Sequence, residues 1–335
     1  MELDICSLGN AIVDVQFSIE DNFREHLDDK SIAFGSMTLI EKQDQEDLIS
    51  LLKENSGEPL RACGGSATNS IFAAANFGSI CHFTCKVQDD ELGNFYLKNL
   101  RSNDISHNDN ALDKQTKLPT GQAVIMVSPD AERTMCTCLG VSNRLSISDL
   151  DILAITNSKY LFIEGYLATS PSALLACQEA IRCAKKSGTK VAISLSDPNI
   201  AKSFQKELLK LINIKCDLLF CNESESLAFS NKQNLSEACN YLQTISDSVL
   251  ITLHEKGCLS WDGRTKNLIE GFKAKAIDSN GAGDMFAGAV LHSINYKQNL
   301  HEAAKFGCYA ASKKVENFGP RLPKNDYKKI KENYF

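Results

Sequence analysis

The heptapeptide Asp278-Ser279-Asn280-Gly281-Ala282-Gly283-Asp284 sets turn residues and two glycines directly ahead of the small, apolar run Met285-Phe286-Ala287-Gly288-Ala289-Val290-Leu291, which suits a tightly packed helix. Where a glycine-containing loop becomes a helix, backbone N–H groups stand unobstructed, with the positive end of the helix dipole behind them. Such a place seats anions. Asp284 changes the reading. A phosphate gains nothing from a carboxylate in the first helical turn, whereas a hydroxyl about to be phosphorylated does. The acid takes its proton while the amides stabilise charge on the transferred group. An Asp at a helix start also complements the dipole with no chemistry attached, so a plain helix cap is the competing reading.

Other polar segments stand in comparable places. Gly9-Asn10-Ala11-Ile12-Val13-Asp14 follows a predicted strand over Leu3–Leu8, where open α/β sheets bind ligands; the same residues serve equally as turn formers. Gly64-Gly65-Ser66-Ala67-Thr68-Asn69 opens an Ala-rich helix running to Phe77. Its double glycine permits close ligand approach, Ser66 suits a cap, and Asn69 falls on the face of the first turn. Arg133 reads either as an exposed strand residue or as a cation carried on a lid, where its planar, always charged fork suits a phosphate.

The elements that must position these residues follow from periodicity. Short apolar strands are predicted at 81–87, 159–163, 190–195, 218–221 and 249–253, alternating with helices at 41–54, 91–103, 171–187, 201–212, 235–246 and 300–316. That alternation predicts a doubly wound, mostly parallel sheet with helices on both faces, and all the polar segments would gather on one edge of it. Residues 120–138 read as a β-hairpin turning around Asp130, and with 15–40 they suggest a small strand-rich appendage over the main domain. A second hairpin is expected over 258–272.

Composition bounds the rest. With 335 residues, 43% hydrophobic and 23% charged, the chain has the make-up of a soluble α/β protein with an elaboration. A net charge of −6 and the lack of a dense basic run outside Lys324, Lys328, Lys329 and Lys331 argue against nucleic acid as partner. No apolar run approaches a membrane span, and the N-terminus lacks a signal-peptide pattern. The 13 cysteines are scattered through apolar segments, which predicts reduced thiols and a cytoplasmic location. Cys81, Cys85, Cys136 and Cys138 lack paired knuckles for zinc. Neither a Walker loop nor a Gly-x-Gly-x-x-Gly fingerprint is present.

Gly64-Gly65-Ser66-Ala67-Thr68-Asn69 and Asp278-Ser279-Asn280-Gly281-Ala282-Gly283-Asp284, in this order and at this separation, resemble the two signatures of the ribokinase-like, PfkB-type carbohydrate and nucleoside kinases. The similarity covers nearly the whole chain. Asn222-Glu223-Ser224-Glu225 resembles the family's Asn-x-x-Glu motif. Thr252 to Gly257 resembles its Thr-x-Gly-x-x-Gly nucleotide turn, with His254 where the middle Gly is common. The resemblance implies a ribokinase-like α/β fold, with a large unit of 1–10, 41–106 and 139–335 and a small β-sheet lid of 11–40 and 107–138; it implies ATP and Mg2+ as cofactors, and an open question over K+. It implies Asp284 as base and Gly281, Ala282 and Gly283 as anion hole. Thr252, Gly257, Ser279, Gly281 and Gly283 would lie on the nucleotide side, and Asn222 and Glu225 would organise magnesium through water.

The Gly9–Asp14 segment, the Arg133 segment and Gly165-Tyr166 are similar to the adenosine-kinase branch of that family. There the acceptor is held by residues matching Asn10, Ile12, Asp14, Gly64, Gly65, Ser66, Asn69 and Tyr166. The expected reaction is ATP-dependent phosphorylation of the 5′-hydroxyl of adenosine or a related nucleoside. The rival readings are a free-sugar kinase acting on ribose or fructose, and a catalytically silent nucleotide- or sugar-binding regulator. A monomer and a homodimer clasped through the lid are both compatible with the sequence.

Overall fold

The computed structural model describes residues 2–20, 23, 32, 34–35, 37–129, 133–296 and 298–335. Its largest element is a nine-stranded sheet. From edge to edge the strands are Lys266–Ile269, Cys258–Trp261, Val249–Thr252, Leu218–Asn222, Lys190–Ser194, Ser158–Glu164, Leu3–Leu8, Cys81–Thr84 and Ser106–His107. All pairings are parallel except those of the hairpin at the first edge. The central strands are almost continuously apolar because both faces are covered.

Side chains alternate between two cores, as a period of two demands. Ile5, Phe162, Ala192 and Phe220 face one side, packed with the helices Ser66–Phe77, Ala282–Asn295 and Leu300–Val315. Cys6, Leu161, Ile163, Val191, Ile193, Leu219 and Cys221 face the other, packed with Pro171–Ser187, Gln205–Ile212 and Leu235–Leu242. Because the strands are parallel, their C-terminal ends form one edge. Gly9, Gly165, Ser196, Asn222 and the turn after Thr252 all lie there.

A second sheet of five strands has the order Met37–Leu39, Arg133–Cys138, Gly121–Val127, Ile12–Ser18 and Leu60–Gly64. Val13, Val15 and Phe17 share a core with Leu48 and Leu52 of the helix Lys42–Ser56. By alternation Ile12 and Asp14 point to the opposite face, where Ile12 packs with Ala123 and Ile125.

Several boundaries differ from expectation. The strand Leu60–Gly64, placed with the large unit on sequence grounds, pairs instead with Ile12–Ser18, and Ser106–His107, at the edge of the expected lid, pairs with the large sheet. The strand expected over 81–87 divides: Cys81–Thr84 stays in the large sheet and Val87–Gln88 pairs with Leu112–Asp113. The helix expected over 201–212 starts earlier, because Asp197 accepts from Asn199 N and Ile200 N ahead of Pro198, and it breaks at Phe204. The helix expected to 246 ends at Leu242. The turn expected around Asp130 lies outside the described residues, as does much of the segment 11–40.

Candidate active site

The helices Ser66–Phe77 and Ala282–Asn295 cross with their backbones nearly touching. A Cβ at Gly288 would fall 2.2 Å from Ser70 O and 2.8 Å from the Ala73 Cβ. Small residues are required there, and the crossing brings the two helix starts together. Ser66 Oγ donates to Asp284 Oδ1 at 2.6 Å and Asn69 Nδ2 donates to Asp284 Oδ2 at 2.9 Å. Burial lifts the Asp284 carboxyl above the usual range. The bonds from Ser66 and Asn69 and the charges of Arg321 and Lys314 pull it back down.

Gly281 begins the helix at φ +75°, with its backbone against Pro320 O, 2.3 Å from where a Cβ would sit. Only glycine meets both conditions without strain. Gly283 is exposed, and no atom lies within 4 Å of its Cβ position. The Ala282 amide, expected in the anion hole, donates instead to Ser279 O at 3.1 Å. Ser279, Ala282, Gly283 and Asp284 line a cavity of about 550 Å3 that also takes in Ser66, Asn222, Glu225, Thr252, His254 and Gly257.

Asn222 and Glu225 cap the helix Glu223–Ser230 reciprocally. Glu225 N donates to Asn222 Oδ1 at 2.8 Å, Asn222 N to Glu225 Oε2 at 3.0 Å, and Asn222 Nδ2 to Glu225 Oε1 at 2.7 Å. The cap and the cavity wall are therefore the same residues. Glu225 is buried, which pushes its carboxyl up to about 7, with Asp197 and Asp284 adding to the rise. His254 adopts φ +53°, the left-handed conformation that a glycine takes more easily. A Cβ at Gly257 would strike Ile269 O of the neighbouring hairpin.

At the start of the Ser66–Phe77 helix, the double glycine carries two close contacts. A Cβ at Gly64 would fall 2.3 Å from Asp14 Oδ1, and one at Gly65 would fall 2.4 Å from Asn10 O. Asp14 is pushed up to about 7 by burial and by Asp284, against the pull of Arg321 and Arg133. Asn10 is buried, and its N–H donates to Glu164 Oε1 at 2.7 Å. Tyr166 sits part-buried in the turn Gly165–Thr169, and it is not among the residues lining the cavity.

Arg133 does not project freely. Its Nη2 donates to Asp278 Oδ2 at 2.5 Å, its guanidinium lies 5.0 Å over the Phe318 ring, and Nη1 is buried with no hydrogen-bond partner among the described residues.

Two residues here carry no sequence motif. Glu164, 1% exposed at the end of its strand, receives Asn10 N at Oε1 and Ala67 N at Oε2, both at 2.7 Å. It thus ties the first sheet turn to the start of the Ser66–Phe77 helix, and burial pushes it up to about 7. An acid closing an apolar strand on the ligand edge is the signal that could have singled it out. Arg321 donates through Nε to Asn69 Oδ1 at 2.8 Å and through Nη1 to Asn99 Oδ1 at 3.0 Å, stacked 4.6 Å over Phe72. By occupying Asn69 Oδ1 it turns the amide nitrogen toward Asp284. No local pattern announces that contact, since 252 residues separate the partners.

A ligand-edge cleft with a hydrogen-bonded carboxylate at a glycine-opened helix start belongs to phosphotransferases of the ribokinase-like fold. The model for the pfkB family of carbohydrate kinases matches residues 29–326, and the chain belongs to this family, whose members transfer phosphate to sugar or nucleoside hydroxyls. It is 31% identical to a ribokinase of Mus musculus over 268 residues, 76% of this chain and 79% of that protein. Among solved structures, a probable sugar kinase from Rhizobium etli superposes with a TM-score of 0.90 at 29% identity, covering 100% of this chain and 99% of that one. An adenosine kinase from Sinorhizobium meliloti superposes with a TM-score of 0.85 at 30% identity, covering 96% of each. Kinases of this family use ATP and Mg2+. Among the described residues no helix is long and apolar enough to cross a membrane.

Proposed function

We propose that this protein transfers the γ-phosphate of ATP to the 5′-hydroxyl of adenosine or a related nucleoside, with Asp284 as the base. The observation that carries this reading is the Asp284 carboxylate, held by Ser66 and Asn69 on the wall of a cavity that continues to Glu225 and Gly257. A carboxylate already receiving two hydrogen bonds keeps lone pairs for a third, from the acceptor hydroxyl. As that proton moves to Asp284, the amides of Gly281 and Gly283 meet the charge growing on the phosphoryl oxygens.

Asp14 and Asn10 are assigned to the acceptor's ribose hydroxyls, and the apolar face of Ile12, Ala123 and Ile125 to the flat side of a base. That face supports a nucleoside over a small free sugar. Gly64 and Gly65 let the acceptor approach the backbone. Tyr166 is kept as a base-stacking residue that would have to turn from its part-buried position. The small sheet acts as the lid, with Arg133 holding it to the phosphate loop.

Asn222 and Glu225 present amide and carboxylate oxygens, the hard donors that magnesium takes through its water shell. Both Glu225 oxygens already receive hydrogen bonds from Asn222, which supports a water-mediated hold. Magnesium, when bound, neutralises phosphate charge. Thr252, Gly257 and Ser279 are assigned to the nucleotide side of the cavity. All thirteen cysteines are unpaired, which fits the reducing cytoplasm.

The second reading, a free-sugar kinase, is favoured by the 31% identity to a ribokinase. A coupled ADP-release assay across nucleosides and sugars separates the two. Turnover confined to adenosine-like nucleosides supports the proposal, and turnover confined to ribose or fructose replaces it. No turnover with any acceptor would leave a binding regulator.

A further inference from the structure

Lys314 is the most completely buried cation among the described residues, with 0% of its side chain exposed, and its one part in the phosphotransfer chemistry above is to help lower the Asp284 carboxyl. It sits in the last turn of the helix Leu300–Val315 and reaches back under the loop that leads into the anion-binding amides. Its Nζ donates to Asp278 O at 2.8 Å and lies 3.8 Å from Asp278 Oδ2. Burying an ammonium is costly, and a chain keeps one only where the charge is compensated. The compensation here is the loop itself.

Asp278 is a hub. Its carboxylate receives Asn280 N at 2.9 Å, Gly319 N at 2.7 Å and the Arg133 guanidinium at 2.5 Å. Its backbone N–H, like that of Ile277, donates to Val315 O, next to Lys314. The loop is thus pinned to the end of one helix by carbonyl and carboxylate oxygens converging on a positive charge. The ammonium therefore stands where Asp278 O and Oδ2 would otherwise face a cation from solution.

We propose that Lys314 is a resident cation which positions the Asp278–Gly281 loop, and with it the anion-hole amides, so that the enzyme needs no potassium or other monovalent ion from solution. The proposal rests on the phosphotransfer reading. Lys314 is a positioning residue, since it touches Asp278 and neither substrate nor phosphate. Burial pulls its ammonium down to about 8, with Asp278 and Asp284 holding it up and Arg133 opposing them. The charge is therefore sustained by the loop at neutral pH.

The test has an arm that needs no variant. The full chain is assayed for ADP release with its best acceptor in potassium chloride and in tetramethylammonium chloride at equal ionic strength. Rates within about twofold are expected, and activation by potassium of about fivefold or more overturns the proposal. In Lys314→Met the charge is lost but the volume is kept. The expected result is a drop in kcat of about tenfold or more with the acceptor KM within about threefold; a folded variant with kcat within about twofold overturns it.

In Lys314→Ala the vacated space should accept ammonium. Saturable recovery of rate is expected with ammonium chloride and not with tetramethylammonium chloride, and a folded but unrescued variant counts against a positioning charge. The melting temperature of Lys314→Ala should rise with ammonium in the same way. That readout requires no turnover, so it separates failure of this proposal from failure of the phosphotransfer reading. Should both variants fail to fold, the potassium comparison on the wild type decides alone.

Discussion

Ser66 Oγ and Asp284 Oδ1 meet at 2.6 Å although 218 residues separate them in the chain. Two helices with small residues at their crossing make that distance possible, and the bond holds one carboxylate oxygen in a set direction. It also favours the ionised form of an acid that burial pushes toward neutrality. Ser66→Ala should therefore raise the Asp284 pKa further. A base acts only when deprotonated, so the acid limb of the kcat–pH profile should move to higher pH, with kcat at neutral pH down about tenfold. An unchanged acid limb would separate Ser66 from the protonation of Asp284.

Gly281 and Gly283 should respond differently to the same added methyl. Gly281→Ala meets Pro320 O in a left-handed backbone, so the melting temperature should fall along with activity, by about 2 kcal/mol of stability or more. Gly283→Ala adds its methyl to open space on the cavity wall, so the fold should keep its melting temperature while ATP binding weakens. Calorimetric titration of ATP beside thermal melts reads both. A Gly283→Ala protein that binds ATP normally would place the phosphates elsewhere.

Glu164 should make stability fall with rising pH. Its folded pKa stands at about 7, above the ordinary 4.5, so the folded chain holds the proton more tightly than the unfolded one. Its contribution is fully present at acid pH and is lost as pH climbs from the ordinary value through about 7. Asp14 and Glu225 are raised to about 7 as well and add the same sign. Urea midpoints should therefore drop between pH 5.5 and 8, and Glu164→Gln should flatten that slope. An equal slope in the variant would assign the pH dependence to the other carboxyls.

Arg133→Lys should not be conservative. The guanidinium grips Asp278 with one nitrogen, covers Phe318 with its plane, and keeps a further buried nitrogen without a partner among the described residues, a geometry that a point charge on a flexible stem does not reproduce. We expect kcat to fall about tenfold with the acceptor KM nearly constant, read by steady-state ADP release. An unchanged kcat would limit Arg133 to its charge.

Much of this was legible in the sequence because local chemistry sets it. The apolar runs fix the parallel strands, and Gly281 ahead of Asp284 marks a helix start whatever surrounds it. The helix Pro171–Ser187 follows from a Ser170 cap, a proline at its first position and a closing Gly188. What escaped depends on long-range pairing. Leu60–Gly64 is a strand because Ile12–Ser18 lies beside it, and its exposed Leu60 and Arg61 give no buried pattern to read. Lys314 looks like an ordinary helix-end lysine until the loop holding Asp278 folds over it. The Asn222–Glu225 pair serves in one geometry both as a helix cap and as part of the cavity wall.

The most direct measurement is turnover and binding by Asp284→Asn, whose amide keeps the size of the carboxylate and removes its capacity to take a proton. With ATP and adenosine affinities read by calorimetric titration, we expect both within about threefold of wild type and kcat lower by about 1,000-fold, the loss of a positioned base. A variant that still turns over within about tenfold of the wild-type rate would contradict the role of Asp284 as base, and with it the phosphotransfer reading of this cleft.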